Sequence, residues 1–160
     1  MGPQVKASSS PVLGCTLQFE RKHHVLLITY GKVATPASAL AAYDSVERFV
    51  SSKGPCSVLA DLSTIENVDV PGDFVRSLAW MPTVIPPGLQ RVVVAPRSDV
   101  YGLSRMFQLY RDKMSSDVHV VRTLEEAYSL LGLESPEFEI VPRWTPKSGH
   151  RWTHENRPSQ

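Results

Sequence analysis

The sequence predicts an α/β domain with a mostly parallel sheet of about five strands and four helices, in the order ββαβαβαβα. Short apolar runs alternate along the chain with segments whose apolar residues recur at helical spacing. After the first two runs, the intervening segments are long enough to hold a crossover helix, which makes the strands parallel. A chain of 160 residues with 42% hydrophobic residues is expected to fill one core.

The first two runs predict a β-hairpin, because a short polar connection separates Leu17–Glu20 from Val25–Tyr30. A helix is expected next, since Thr35 can act as its N-cap and Pro36 suits its first position. Gly54 is expected to end this helix.

The middle of the chain predicts two buried strands with a helix between them. Ser57–Leu62 and Arg91–Ala95 are almost unbroken apolar runs, which are typical of strands covered on both faces. Between them, Pro71–Met81 carries apolar residues at helical spacing, and Pro82 is expected to stop the helix.

The last third predicts two more helices, one on each side of a strand at Val118–Val121. Ser98 and Asp99 are expected to cap the first of these helices, which has a single apolar face. Thr123 and Glu126 have the spacing of a capping box at the start of the second, and a glycine suits its end.

The predicted boundaries divide the chain into three parts. We expect a flexible Ser/Pro-rich leader over residues 1–14, the domain over 15–133, and a proline-rich tail over 134–160. Phe138–Val141 is a candidate for one further strand. The two tail tryptophans are expected to pack on the domain or on a partner subunit, because large apolar side chains are unusual in water.

Charge and composition exclude several classes of partner. Seventeen basic and sixteen acidic residues nearly cancel, so no nucleic-acid partner is expected. No run of about 18 apolar residues occurs, so no membrane span is expected and the predicted location is cytoplasmic. Cys15 and Cys56 suit free thiols. The neighbouring His23 and His24 would point to opposite faces of a strand, and neither a metal ion nor a cofactor is expected.

The stretch VLADLSTIENVDVPGD combines two acids and a serine with the start of a helix. Asp61 and Ser63 are expected to satisfy loop amides, and Asp69 to accept hydrogen bonds from the first amides of the helix. Catalysis by Ser63 would need a base within hydrogen-bond reach, and no nearby histidine supplies one. We therefore predict a structural motif loop with no catalytic residue. Its residues are Asp61, Ser63, Asp69, Pro71 and Gly72.

A strand that ends in Asp-Leu-Ser at Asp61, with a second acid at Asp69 and a glycine at Gly72, resembles the central motif of STAS domains. The likeness is closest to their SpoIIAA-like bacterial relatives, and the predicted element order matches the family over residues 17–133. The resemblance implies a SpoIIAA-like (STAS) fold and a regulatory, non-enzymatic module that binds another protein. Members of the family are switched by phosphorylation directly after the second acid. Val70 stands there, so the resemblance implies that this chain lacks the usual phospho-acceptor.

A protein-binding face is predicted on the helices that begin near residues 71 and 98. In the first of them, Phe74 and Leu78 converge on the core, which turns Trp80 outward. Arg76 lies four residues before Trp80, so its guanidinium is expected over the indole, and both residue types are enriched at interface hot spots. The predicted face consists of Asp73, Arg76, Trp80, Tyr101, Arg105 and Gln108.

Two functions stay open at this point. The first is an interaction module for a protein partner or for a second copy of the chain, and an exposed aromatic face would indicate it. The second is binding of a small apolar molecule or lipid at the carboxyl ends of the strands, as in the CRAL-TRIO domains that share the general fold. An apolar cavity beside Leu62 and Pro96 would indicate the second function. An enzyme would require an acid, a base and a nucleophile that converge in one cleft, and we do not predict one.

Overall fold

The computed structural model describes residues 15–82, 85–114 and 117–142. The predicted leader, and the part of the tail that holds its two tryptophans, lie outside these residues. The strands are β1 (Cys15–Glu20), β2 (Val25–Tyr30), β3 (Val33–Ala34), β4 (Ser57–Asp61), β5 (Asn67–Val68), β6 (Arg91–Val94), β7 (Val118–Val121) and β8 (Glu139–Ile140). The helices are α1 (Pro36–Lys53), α2 (Gly72–Ala79), α3 (Ser98–Arg111) and α4 (Leu124–Leu131).

Six of the strands form one central sheet in the order β7-β6-β4-β2-β1-β8. The strands β2, β4, β6 and β7 are parallel, whereas β1 is antiparallel to both β2 and β8. The predicted α/β class with a mostly parallel sheet and four helices is confirmed for the described residues. None of the helices in these ranges is long and apolar enough to cross a membrane.

One feature of the sheet differs from the sequence prediction, and one candidate strand is confirmed. The strands β3 and β5 form a separate parallel pair that was not predicted, because two residues each are too few to show a periodic pattern. The strand β8 pairs with β1 through Gln18 and Phe19. This strand lies within Phe138–Val141, so the candidate strand predicted there is confirmed, beyond the predicted end of the domain at residue 133.

The predicted caps of the first and last helices are confirmed. At α1, the Ser38 amide donates to Thr35 Oγ1 at 3.1 Å and the Thr35 amide donates to Ser38 Oγ at 2.9 Å. At α4, Thr123 and Glu126 exchange the equivalent pair of bonds. Gly132 then ends α4 in the left-handed conformation, at φ 70°, which an L side chain rarely adopts.

The predicted caps of the two middle helices are wrong. The N-cap of α2 is Pro71, which makes no side-chain hydrogen bond, and Asp69 is exposed. The Asp69 amide donates to the Ala34 carbonyl at 2.8 Å, which continues the β3–β5 pairing and keeps this residue outside the first turn. The N-cap of α3 is Arg97 instead of Ser98, and the Asp99 carboxylate accepts from the amide of Val100 at 2.8 Å inside the first turn.

The two faces of the sheet are packed by different helices, because side chains alternate along each strand. Val25, Leu59 and Val92 point to one face, where they form a tight cluster with Ala127 of α4. The opposite face lies under α1, α2 and α3. Cys56 packs in the core on that second side, and both cysteines are free thiols, as predicted.

Candidate functional site

A cavity of about 200 Å³ lies between the middle of the sheet and the helices α1, α2 and α3. Its floor is formed by neighbouring residues of three parallel strands, Ile28 of β2, Ala60 of β4 and Val93 of β6. Among the described residues, its lining is apolar except for four side chains. These are Tyr30, Tyr43, Arg91 and Ser104.

Small side chains create this space. Ala39 and Ala42 of α1 face Ala60 of β4 across the cavity, and none of them extends beyond a methyl group. Protein interiors are otherwise packed as densely as organic crystals, so a volume of this size is unusual for a core. An apolar cavity of ~150 Å³ is known to take up benzene. The described space is therefore large enough for a small organic molecule.

Arg91 brings a positive charge to the cavity at the first residue of β6. Its side chain is only 16% exposed, and its guanidinium lies over the Phe107 ring at 5.7 Å from the centroid. Arg91 Nη2 is 3.8 Å from Asp117 Oδ2. Burial lowers the pKa of the Arg91 guanidinium, Asp117 raises it, and the neighbouring Arg111 lowers it further.

Arg111 connects the ends of α2 and α3. Its Nη1 donates to the carbonyl oxygens of Ala79 and Met81, both at 3.1 Å, and its Nε lies 3.5 Å from Asp117 Oδ1. The Arg111 side chain is 3% exposed. These contacts satisfy carbonyl groups at the end of α2, so the role of Arg111 is to hold the two helices together.

Two phenol groups share the cavity with Arg91. Burial raises the pKa of the Tyr30 hydroxyl well above its ordinary value, and the charge of Arg91 opposes the rise. Burial and Glu47 raise the pKa of the Tyr43 hydroxyl, against the same charge of Arg91. Both hydroxyls therefore stay protonated and can donate a hydrogen bond.

The motif loop closes the cavity at the carboxyl ends of the strands. Its apolar residues Leu62, Val68 and Val70 line the cavity. Asp61 is buried, and its Oδ1 accepts from the Ser63 amide at 3.0 Å. The prediction that Asp61 satisfies a loop amide is confirmed.

The remaining residues of the motif loop do not line the cavity. Ser63, Asp69, Pro71 and Gly72 are all exposed. Arg97, which the sequence did not single out, holds the loop from outside by donating to the carbonyl oxygens of Ile65 and Glu66.

The cavity only partly follows the predicted ligand position. Leu62 lines it, as expected, but Pro96 does not. The cavity instead extends along the strands from the motif loop to Arg91, at the amino end of β6. Among the described residues, the cavity is therefore apolar at its Leu62 end and positively charged at its Arg91 end.

The residues of the predicted protein-binding face on α2 are exposed, and Trp80 is 51% exposed. The predicted stacking of Arg76 on Trp80 is wrong, because the Arg76 guanidinium lies over the Tyr110 ring of α3 at 5.7 Å. The helices α2 and α3 pack against each other, which brings the Tyr110 ring within reach of Arg76. Asp73 Oδ1 also lies 3.8 Å from Arg76 Nη2.

On α3, the three predicted face residues differ in exposure. Arg105 is exposed and donates to the side-chain oxygen of Gln108. Gln108 is half-buried, and its Nε2 donates to the Val118 carbonyl of β7 at 3.0 Å. Tyr101 is half-buried beneath the Arg122 guanidinium, 4.0 Å from the ring centroid. Two of the three side chains on α3, those of Tyr101 and Gln108, are therefore half-buried against residues outside the helix.

Sequence reasoning did not identify Arg91 as a site residue. The available signal was an arginine at the first position of an otherwise apolar strand, RVVV, on the same face as Val93. Asp117 offers no sequence signal of its own, since it lies in a loop next to β7. Within the described ranges, no three His, Cys, Asp or Glu side chains gather as metal ligands.

No family model, no curated protein and no solved structure matches the chain. The likeness to STAS domains stays a prediction from the motif loop and the order of the elements.

Proposed function

We propose that this protein binds a small, largely apolar molecule in the cavity between the sheet and the helices α1, α2 and α3. The observation that carries the proposal is the cavity of about 200 Å³ and its lining, which is apolar except for four side chains. Ligand sites are typically concave and apolar, with a few polar groups that fix the orientation of the ligand. The described lining has this composition.

Binding in this cavity requires no chemical step. We therefore propose that the protein is a carrier or sensor of its ligand and not an enzyme. A ligand would contact Leu62 and Val70 of the motif loop and Val75 of α2. These elements are short and lie next to the exposed surface around Asp73. A change in ligand occupancy would therefore reach the surface that a partner can contact, in a cytoplasmic and regulatory role.

Methyl NMR spectroscopy tests the proposal at the level of single residues. Titration with octanol should shift the methyl signals of Val46, Val58 and Leu103, which line the cavity. The signals of Val25 and Leu27, on the opposite face of the sheet, should not shift. Shifts confined to the opposite face, or no shifts at all, would contradict the proposal.

A second candidate function is a STAS-like protein-interaction module, and the exposure of Trp80 favours it. Trp80 is 51% exposed, and Leu109 and Met114 of the neighbouring segment are 56% and 47% exposed. Tryptophan is among the residue types that contribute most to protein interfaces. The test is sedimentation of the protein, alone and with a captured partner, before and after Trp80→Ala. Unchanged association would remove the support that Trp80 gives.

A further inference from the structure

The cavity is flat, and the positions of its lining residues give its extent. Along β4 the lining runs from Val58 to Leu62, which is ~13 Å at the rise of a parallel strand. Across the sheet it runs from Ile28 of β2 to Val93 of β6, which is ~10 Å at the usual spacing of strands. A volume of about 200 Å³ spread over this area forms only a thin layer.

The helix α1 limits the thickness of this layer. Ala39 and Val46 both line the cavity, so the helix covers ~10 Å of it. Ala42 of α1 and Ala60 of β4 contribute only methyl groups to the two walls. The short dimension of the cavity therefore lies between the helix and the sheet. A planar ring is thin in one direction and suits this space, whereas a saturated ring is thicker.

Three aromatic side chains line the same space, those of Tyr30, Tyr43 and Phe107. Aromatic rings attract one another in offset-stacked and edge-to-face arrangements, beyond the gain from the buried area alone. The lining therefore favours an aromatic ligand over an aliphatic ligand of the same size.

The charges around the cavity favour an uncharged ligand. Arg91 carries the only formal charge among the described lining residues. Its guanidinium is engaged within the fold, with Asp117 at 3.8 Å and with the Phe107 ring. A charged ligand would therefore be buried without an opposite charge of its own, which costs free energy. The hydroxyl groups of Tyr43 and Ser104 can instead bond an uncharged oxygen.

We propose that the ligand is an uncharged molecule built on one planar aromatic ring, which lies between α1 and the middle of the sheet. This inference rests on the proposed function and adds the chemical class of the ligand. A cavity of ~150 Å³ takes up benzene, so about 200 Å³ suits a single ring with a short substituent. A substituted phenol has this size and one oxygen.

Isothermal titration calorimetry of the full chain with 4-ethylphenol and 4-ethylcyclohexanol tests the planar ring. The two probes have the same numbers of carbon and oxygen atoms and no charge at pH 7, and they differ in the thickness of the ring. The wild-type protein should bind 4-ethylphenol at least ten-fold more tightly, because a thicker ring overpacks the layer. The charged probes 4-methylbenzoate and 4-methylbenzylamine should each bind at least ten-fold more weakly than 4-ethylphenol.

A deeper cavity should remove the preference for the planar ring. Val93 forms part of the floor, and Val93→Ala makes the layer thicker there. In this variant both ring compounds should bind, with affinities that differ less than three-fold. Val92→Ala is the matched control, because Val92 precedes it on the same strand and packs on the opposite face of the sheet. This control should keep the full preference for 4-ethylphenol.

A second pair of variants serves if Val93→Ala does not fold. Ala39→Leu puts a larger side chain into the layer and should weaken the binding of 4-ethylphenol at least ten-fold. Ala37→Leu makes the same change at an exposed position of α1 that does not line the cavity, and it should bind like the wild type.

The possible failures can be distinguished. Equal wild-type affinity for the two ring compounds, with octanol also bound, would overturn the planar ring and leave the proposed function standing. Absence of binding by octanol and by both ring compounds would overturn both proposals. Tighter binding of 4-methylbenzoate than of 4-ethylphenol would overturn the uncharged class. A preference that persists in Val93→Ala, or 4-ethylphenol binding that is unchanged in Ala39→Leu, would overturn the position of the ring.

Discussion

Replacement of Ala60 by isoleucine should make the protein more stable, although it puts a larger side chain into the middle of the sheet. Ala60 lies between Ile28 of β2 and Val93 of β6, and all three line the cavity. The three added carbon atoms contribute ~2.4 kcal/mol, at ~0.8 kcal/mol for each buried CH₂ group. Ordering the new side chain costs ~0.5–1 kcal/mol. The free energy of unfolding should therefore rise by about 1.4–1.9 kcal/mol, and β-branched residues also suit a strand.

Urea denaturation of the wild-type protein and of Ala60→Ile measures this difference. The matched control is Ala127→Leu, which adds the same number of carbon atoms on the opposite face of the sheet. Ala127 is 0% exposed and packs against Val92, so overpacking should lower the free energy of unfolding by ~1–3 kcal/mol. A loss of stability in both variants would refute the reasoning, because it would mean that the space beside Ala60 cannot accept a side chain.

The same variant also tests the proposed function. An isoleucine at position 60 occupies volume that a ligand would need, so the affinity for octanol should fall at least ten-fold. Calorimetric titration measures this affinity. A stabilised Ala60→Ile variant that binds octanol as tightly as the wild type would separate the two ideas, since the cavity would exist but the ligand would bind elsewhere.

Three further outcomes are expected. Arg111→Met should lower the free energy of unfolding by ~3–6 kcal/mol in urea denaturation, because it removes two hydrogen bonds from a charged group to the carbonyl oxygens of Ala79 and Met81, each worth ~1.5–3 kcal/mol; a loss below about 1 kcal/mol would contradict this. Trp80→Ala should change stability by less than ~1 kcal/mol and weaken any association seen by sedimentation; a loss of several kcal/mol would place Trp80 in the core. A chain that ends after Val141 retains β8 and should unfold cooperatively, whereas loss of cooperativity would assign later residues to the core.

Local signals explain why most of the fold could be predicted from the sequence. Thr35 and Thr123 define their caps through partners three residues away, and the structure contains both reciprocal pairs of hydrogen bonds. Buried parallel strands can be predicted because they are nearly unbroken apolar runs, as expected when helices cover both faces of the sheet. The cap predicted at Asp69 failed because pairing of its amide with Ala34, far away in the sequence, fixes the backbone there.

The candidate site depends on relations that a single sequence does not display. Ala42 and Ala60 become opposite walls of a cavity only after α1 has packed over β4. Arg91 is visible at the start of its strand, but its burial and its proximity to Asp117 follow from the pairing of β6 with β7. The sequence prediction for the motif loop rested on its acids. In the structure, the apolar residues of the loop line the cavity.

The unequal packing of the two faces of the sheet gives a physical reason for the position of the cavity. On the α4 side, Ala127 meets Val92 and Val94, and the small helix residue lets the large strand residues fill the layer. On the α1 side, small residues stand on the helix and on the strand, so neither fills the space between them. Phe49, near the end of α1, packs against Phe19 with ring centroids 5.0 Å apart and keeps the helix at the distance that large side chains require. The alanines closer to the start of α1 therefore line unfilled space. Substitutions at these alanines should change the size of the ligand that the cavity accepts, whereas substitutions at Phe49 should destabilise the whole fold.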